Sequence, residues 1–340
     1  MKILIDIGHP GQVHFFKNFI KEMEKRGNEI KITARDKDVA KYLMDYYNFN
    51  YEIVLKHRKS LFGKALGYME TTRKISKIGK KFGADLFLSC ASVYAAKASK
   101  KCKKPHIVFD DTEHSKWEYK LYEPYTDVIC TPSCFLKDLG PKQLRYNGYK
   151  ELAYLHPNQF KPNHDILKEV GLSEKDNFSI VRFVSWGATH DKGQKRLNEE
   201  NRMKIVEELE RHGRVISSEE GKLPCLEGKI ITPEKIHDLL YYAQIYVGDG
   251  GTMANEAAVL GTPSILTSSL AKYSGTPKDL ESSYKLLYIV TDSNEILSKI
   301  NDLFNEGVKE EWKKRREKML KDKIDVTKWM VDFVENYVGV

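Results

Sequence analysis

The sequence predicts an α/β protein of two doubly wound domains. The grounds are short apolar runs alternating with helical periodicity, a break in that alternation near residue 157, and its resumption beyond the break. Ile3 to Ile5 form the first expected strand, and Phe16, Phe19, Ile20 and Met23 recur at helical spacing after it. Ile30 to Thr33 then predict a strand, and Val39, Leu43 and Tyr47 a second helix. Further strands are expected at Glu52–Leu55, Asp85–Ser89, His106–Phe109 and Asp127–Thr131, with Lys- and Ala-rich helical stretches between them.

Residues 147–165 contain two prolines and three asparagines and have no sustained periodicity, so they are expected to connect domains. This sets a first domain at 1–157 and a second at 158–325. The second series comprises Phe178–Val184, a helix over Glu199–His212, Arg214–Ser217, a helix near Pro233–Tyr242, and Ile245–Gly248. From Ser293 onward a helix is expected to the end. Residues 326–340 bear a stripe of Val326, Trp329, Met330, Phe333, Val334 and Tyr337 that must pack against something.

A length of 340 residues and 41% hydrophobic content suffice for two cores. No apolar run approaches the roughly 20 residues of a membrane span, and the N-terminus enters a strand directly, which makes a cytoplasmic location the expectation. Five scattered cysteines without paired spacing argue against a disulfide framework or a zinc site. The net charge of +8 is partly local: residues 308–323 carry eight basic and four acidic side chains, expected to form a solvated helix face that would also attract anionic partners or a membrane surface. Without interleaved aromatics, nucleic acid is not an expected partner.

The strongest site signal is IYVGDGGTMANEAAVLGTPSIL, residues 245–266, read as strand, glycine turn, helix and strand. Gly250 and Gly251 leave the backbone open to a phosphate, and the following helix offers unpaired N–H groups and the positive end of its dipole. Thr252 can cap that helix or give its hydroxyl to a phosphate, and Glu256, one turn on, suits ribose hydroxyls. The plain alternative is a tight turn followed by an exposed carboxylate. Neither a G-x-G-x-x-G fingerprint nor a GxxxxGK[ST] loop occurs, which removes the main support for dinucleotide or P-loop chemistry.

Upstream in the second domain, the segment after Phe178 offers Arg182, His190 and Lys192 to neutralise a diphosphate, and no DxD motif stands beside them to hold a metal. In the first domain, His9 and His14 follow the first strand, each suited to general-base catalysis, to binding a hydroxyl or phosphate, or to capping and packing. Asp110, Asp111, Glu113 and His114 follow the strand at His106–Phe109; Asp111 and His114 are the acid/base candidates, and a solvated loop is the alternative.

The segment DGGTMANEAAVLGTP resembles the donor-binding signature of GT-B proteins, especially UDP-N-acetylglucosamine 2-epimerases and peptidoglycan N-acetylglucosaminyl transferases. Lys25-Arg26-Gly27, closing the first helix, is similar to the opening of those proteins, and the whole chain resembles an uncharacterised prokaryotic family of predicted GT-B-type glycosyltransferases. The resemblance implies a GT-B fold, with two Rossmann-like domains facing across a cleft and a C-terminal helix crossing back to the first. It assigns Gly250, Gly251 and Thr252 to a diphosphate and Glu256 to a ribose. The family itself brings a fold and not a substrate; taken with the cationic donors and the missing DxD motif, the expected activity is metal-independent transfer from a nucleotide-diphosphate sugar, a UDP-sugar, to an unknown acceptor, lipid- or glycan-linked, with no further cofactor. A 2-epimerase-like enzyme and a noncatalytic nucleotide-sugar binder are the alternatives; the epimerase spacing is not reproduced around DDTEH.

Overall fold

The computed structural model describes residues 1–55, 61–113, 118–173, 175–183, 197–219, 225–226 and 229–338. They divide into two compact units: residues 1–159 with 324–340, and residues 160–323. The first unit contains β1 (Lys2–Ile7), α1 (Pro10–Lys25), β2 (Glu29–Arg35), α2 (Asp38–Tyr46), β3 (Tyr51–Leu55), α3 (Leu61–Phe82), β4 (Leu86–Cys90), α4 (Val93–Cys102), β5 (His106–Phe109), α5 (Glu118–Tyr122), β6 (Val128–Pro132), β7 (Gln143–Tyr146) and α6 (Leu152–Leu155). The second contains α7 (Asp165–Glu169), β8 (Phe178–Phe183), α8 (Glu199–Glu210), β9 (Arg214–Glu219), β10 (Cys225–Leu226), β11 (Lys229–Ile230), α9 (Ile236–Tyr242), β12 (Tyr246–Gly248), α10 (Gly251–Leu260), β13 (Ser264–Leu266), α11 (Gly275–Ser282), β14 (Leu287–Ile289), α12 (Ser293–Leu303) and α13 (Val308–Asp322). α14 (Val326–Val338) belongs to the first unit again.

The first sheet runs β3-β2-β1-β4-β5-β6-β7, parallel throughout. β1 and β4 are buried almost along their length, as strands covered on both faces must be. α1 buries Val13, Phe15, Phe16, Phe19, Ile20 and Met23, and Phe15 and Phe16 meet Phe109 of β5 edge-on at 5.2 and 5.9 Å. Each such ring contributes about 1.5–3 kcal/mol by leaving water. The break at β1/β4, where sequence order reverses across the sheet, is the switch point at which loops diverge.

The second sheet runs β11-β10-β9-β8-β12-β13-β14, with its switch point at β8/β12. At one edge it is antiparallel, β10 pairing with β9 and β11.

Two expectations need correction. The connecting segment is ordered at its start: Leu152, Ala153, Tyr154 and Leu155 of α6 are fully buried, and Asn18 Nδ2 and Thr327 Oγ1 both donate to the Ala153 carbonyl, at 3.0 and 2.6 Å. Composition hid this helix because its burial is tertiary. The basic run is not simply a solvated face either. In α13, Trp312 and Met319 are buried, Arg316 donates to the Val259 carbonyl at 3.0 Å, and Arg315 donates to the Lys285 carbonyl at 2.6 Å. α14 buries Val326, Met330 and Val334 and sets Trp329 against Tyr146 of β7, ring centroids 4.9 Å apart.

Among the described residues no helix is long and apolar enough to cross a membrane.

Candidate functional site

In the second unit, the turn between β12 and α10 lies at the switch point. Gly250 occupies the N-cap with extended backbone (φ −85°, ψ 106°), and among the described residues no side chain caps the helix. Thr252, expected as the cap, stands one residue inside α10 with its side chain exposed, so the leading N–H groups have no side-chain acceptor among the described residues. The glycines serve different ends. A Cβ on Gly248 would collide with the Arg182 carbonyl and the Tyr246 hydroxyl, so close packing excludes one. A Cβ on Gly251 would meet nothing within 4 Å. Gly251 therefore borders open space.

Beneath the turn lies the fully buried side chain of Tyr246, whose hydroxyl has no hydrogen-bond partner among the described residues. Burial pushes this phenol up, the nearby Asp249 and Glu256 push the same way against Arg182, and the group remains a neutral O–H donor. The Thr267 hydroxyl, just past β13, is likewise buried and without a partner among the described residues, and Thr267 N–H donates to the Gly248 carbonyl at 2.8 Å. Unsatisfied buried hydroxyls call for an acceptor. Arg182, half-buried near the end of β8, is close enough to the phenol to act on it electrostatically. Asp249 is held by Arg202 of α8 at 3.3 Å, and the Arg202 guanidinium lies over Phe183, 4.9 Å from its centroid.

Glu256 is 4% exposed, which dismisses an ordinary surface carboxylate, and it faces His237 of α9 with Nε2 3.1 Å from its Oε1. His190 and Lys192 lie outside the described residues.

In the first unit, Asp6 at the end of β1 accepts from Thr33 Oγ1 at 2.8 Å and Ser92 Oγ at 2.5 Å. His9 is exposed and caps α1, its Nδ1 accepting from Gly11 N–H at 3.1 Å. His14 is buried, its ring 5.7 Å from that of Tyr154 and 6.4 Å from that of Tyr47.

Beyond β5, Asp110 accepts from the Tyr122 hydroxyl and from Thr112 N–H, and Glu113 accepts from Leu136 N–H at 2.7 Å. Those two carboxylates hold the loop. Asp111 differs: 29% exposed, it pairs with Lys150 at 2.5 Å. Burial opposes the Lys150 charge, but Asp111 and Glu151 outweigh it and keep the pKa above the ordinary lysine range. Cys90, at the end of β4, is a neutral thiol, pushed up chiefly by burial. His114 lies outside the described residues. Sequence reading missed Lys150, which it assigned to a connecting segment, and it missed Tyr246 and Arg202.

The model of the family described as "Protein of unknown function (DUF354)" matches residues 1–339. The chain belongs to that family. A relative, "Uncharacterized protein MJ0665" of Methanocaldococcus jannaschii, is 27% identical over 281 residues, 78% of this chain and 81% of that protein. Among solved structures, the UDP-GlcNAc 2-epimerase from Neisseria meningitidis bound to UDP-GlcNAc is similar at TM-score 0.67 and 13% identity, over 99% of this chain and 100% of that one. The spinosyn forosaminyltransferase SpnP is similar at 0.67 and 11%, over 100% of both chains. The UDP-GlcNAc 2-epimerase from Methanocaldococcus jannaschii is similar at 0.64 and 12%, over 90% of this chain and 94% of that one. At such identities the likeness shows the fold: two Rossmann-like parallel-sheet units, as in GT-B glycosyltransferases and epimerases.

Proposed function

We propose that this chain is a GT-B-type glycosyltransferase that binds a nucleotide-diphosphate sugar, with UDP as the nucleotide, at the carboxyl end of the second sheet. The observation that carries the reading is the helix N-terminus at Gly250–Thr252, among the described residues uncapped by a side chain and open at Gly251, and underlain by the buried Tyr246 hydroxyl. N–H groups of the first turn and the Thr252 hydroxyl take the diphosphate, Arg182 adds a cation, and Glu256, oriented by His237, accepts from the ribose hydroxyls. These groups stabilise the departing diphosphate without a metal. Asp111, in contact with the Lys150 ammonium at 2.5 Å, is the group that receives the proton of the acceptor hydroxyl. His9 and His14 have less support as bases, since the first caps a helix and the second is packed among rings.

Calorimetric titration with UDP and UDP-sugars tests the donor site. Glu256→Ala should weaken nucleotide binding tenfold or more, about 1.4 kcal/mol, and unchanged affinity would remove Glu256 from the ribose. The similarity to two 2-epimerases over nearly the full chain favours a second reading, inversion at the sugar with no acceptor. Incubation with donor alone separates them, because an epimer forms without acceptor only in the second. Donor binding with neither epimer nor transfer would leave a noncatalytic nucleotide-sugar binder.

A further inference from the structure

The helices α3 and α4 form a face of the first unit whose charge the proposed donor site does not use. Residues 69–104 contain ten basic and two acidic side chains, an excess of eight that equals the +8 of the entire chain. The two carboxylates are already engaged, Glu70 with Lys74 at 2.9 Å and Asp85 with Lys104 at 3.2 Å. Between the helices lies a groove of about 370 Å³ in which Arg73 of α3 and Lys97, Lys100 and Lys101 of α4 converge, with Met69 and Tyr125 beside them. Arg73, Lys100 and Lys101 are exposed, and the Lys97 ammonium lies over the Tyr125 ring, 5.0 Å from its centroid. Arg73, Lys100 and Lys101, gathered around one concavity, repel one another unless an anion neutralises them.

We propose that this groove takes the phosphate headgroup of an anionic phospholipid and docks the α3–α4 face on a membrane surface. Two features favour a lipid. Met69, a large apolar side chain on the groove, is 54% exposed, and Leu121, in the helix preceding Tyr125, is 56% exposed, which suits contact with the acyl boundary. A single tyrosine offers no succession of rings on which bases could stack, as a single-stranded nucleic acid would require. The other basic run, α13, is unlike this face: Arg315, Arg316 and Lys318 donate to main-chain carbonyls, and Lys323 just beyond it is paired with Asp279.

Co-sedimentation of the full chain with vesicles of phosphatidylcholine, alone or mixed with phosphatidylglycerol, tests the proposal. Binding is expected only to the mixed vesicles and should weaken with rising salt. Each cation near an anionic surface changes partitioning roughly fivefold, so the triple variant Arg73→Glu, Lys100→Glu, Lys101→Glu should lose about a hundredfold or more. The charge-matched control Lys309→Glu, Lys313→Glu, Lys314→Glu should bind nearly as the parent does. A parent that ignores the mixed vesicles, equal binding to both vesicle types, or equal loss in both variants overturns the proposal. Displacement from the vesicles by inorganic phosphate at matched ionic strength also overturns it, by marking a site for free phosphate. Circular dichroism and UDP titration of the groove variant should match the parent, which separates this outcome from failure of the donor site.

Discussion

At the carboxyl end of the second sheet, among the described residues, the charged groups Asp249 and Glu256 are paired with Arg202 and His237, and beside them lie main-chain N–H groups and the hydroxyls of Thr252, Tyr246 and Thr267 without an acceptor. At the corresponding end of the first sheet stand carboxylates already answered: Asp6 by two hydroxyls, Asp110 by Tyr122, Asp111 by Lys150. The difference separates two kinds of chemistry. Donors left over once the local carboxylates are paired suit an anion that arrives from outside. A part-exposed carboxylate set beside an ammonium is suited to handling protons and hydroxyls.

The sharpest test of this contrast lies within one turn. Gly248→Ala should destabilise the second unit by about 3 kcal/mol, because the new methyl meets the Arg182 carbonyl, which cannot yield; denaturant unfolding measures it. Three residues later the outcome should reverse. Gly251→Asp meets open space and places a carboxylate at a helix N-terminus, so thermal stability should hold or rise while UDP affinity falls about a hundredfold, or about 2.7 kcal/mol. A mutant that keeps full affinity would dissociate this helix end from the nucleotide.

The first unit should in turn be the more acid-sensitive. His106 of β5 is buried, its Nε2 is 3.0 Å from Ser89 Oγ, and burial lowers its pKa to about 3. Unfolded, the ring titrates near 6.5, so below that pH the unfolded chain binds a proton that the folded chain refuses. Stability contributed by the neutral ring is full above about 6.5 and is lost as pH falls toward 3, about 2 kcal/mol of it by pH 5. Hydrogen exchange of the β5 amides at pH 7 and 5 should show the drop, and His106→Asn should flatten it.

The sequence made legible what repeats. β1, β4, β5, β6, β8 and β12 are apolar runs, and the glycine turn announced its helix. β7 escaped because its residues QLRY are mostly solvent-facing at an edge, and β14 because three residues are too few to show a period. The Glu256–His237 pair bridges 19 residues and Asp111–Lys150 bridges 39, separations that no local pattern encodes. Charge runs misled for a related reason: composition counts cations, and only packing tells those bound to carbonyls in α13 from those lining the groove between α3 and α4.

The chain leaves the first unit after Gln159 and rejoins it at Ile324, and the crossing points are clasped: Asn158 and Gln159 both donate to Asp325 Oδ2, at 3.2 and 2.9 Å. Ile324 N–H donates to the Asn147 carbonyl at 2.9 Å, and α14 then packs its buried row on α1 and α6. During synthesis the order of completion is consequently inverted. Residues 160–323 can finish folding as soon as they leave the ribosome, whereas the unit begun first stays without its closing helix until residues 324–338 have emerged. A premature stop near residue 323 would spare the later-made unit and cripple the earlier one.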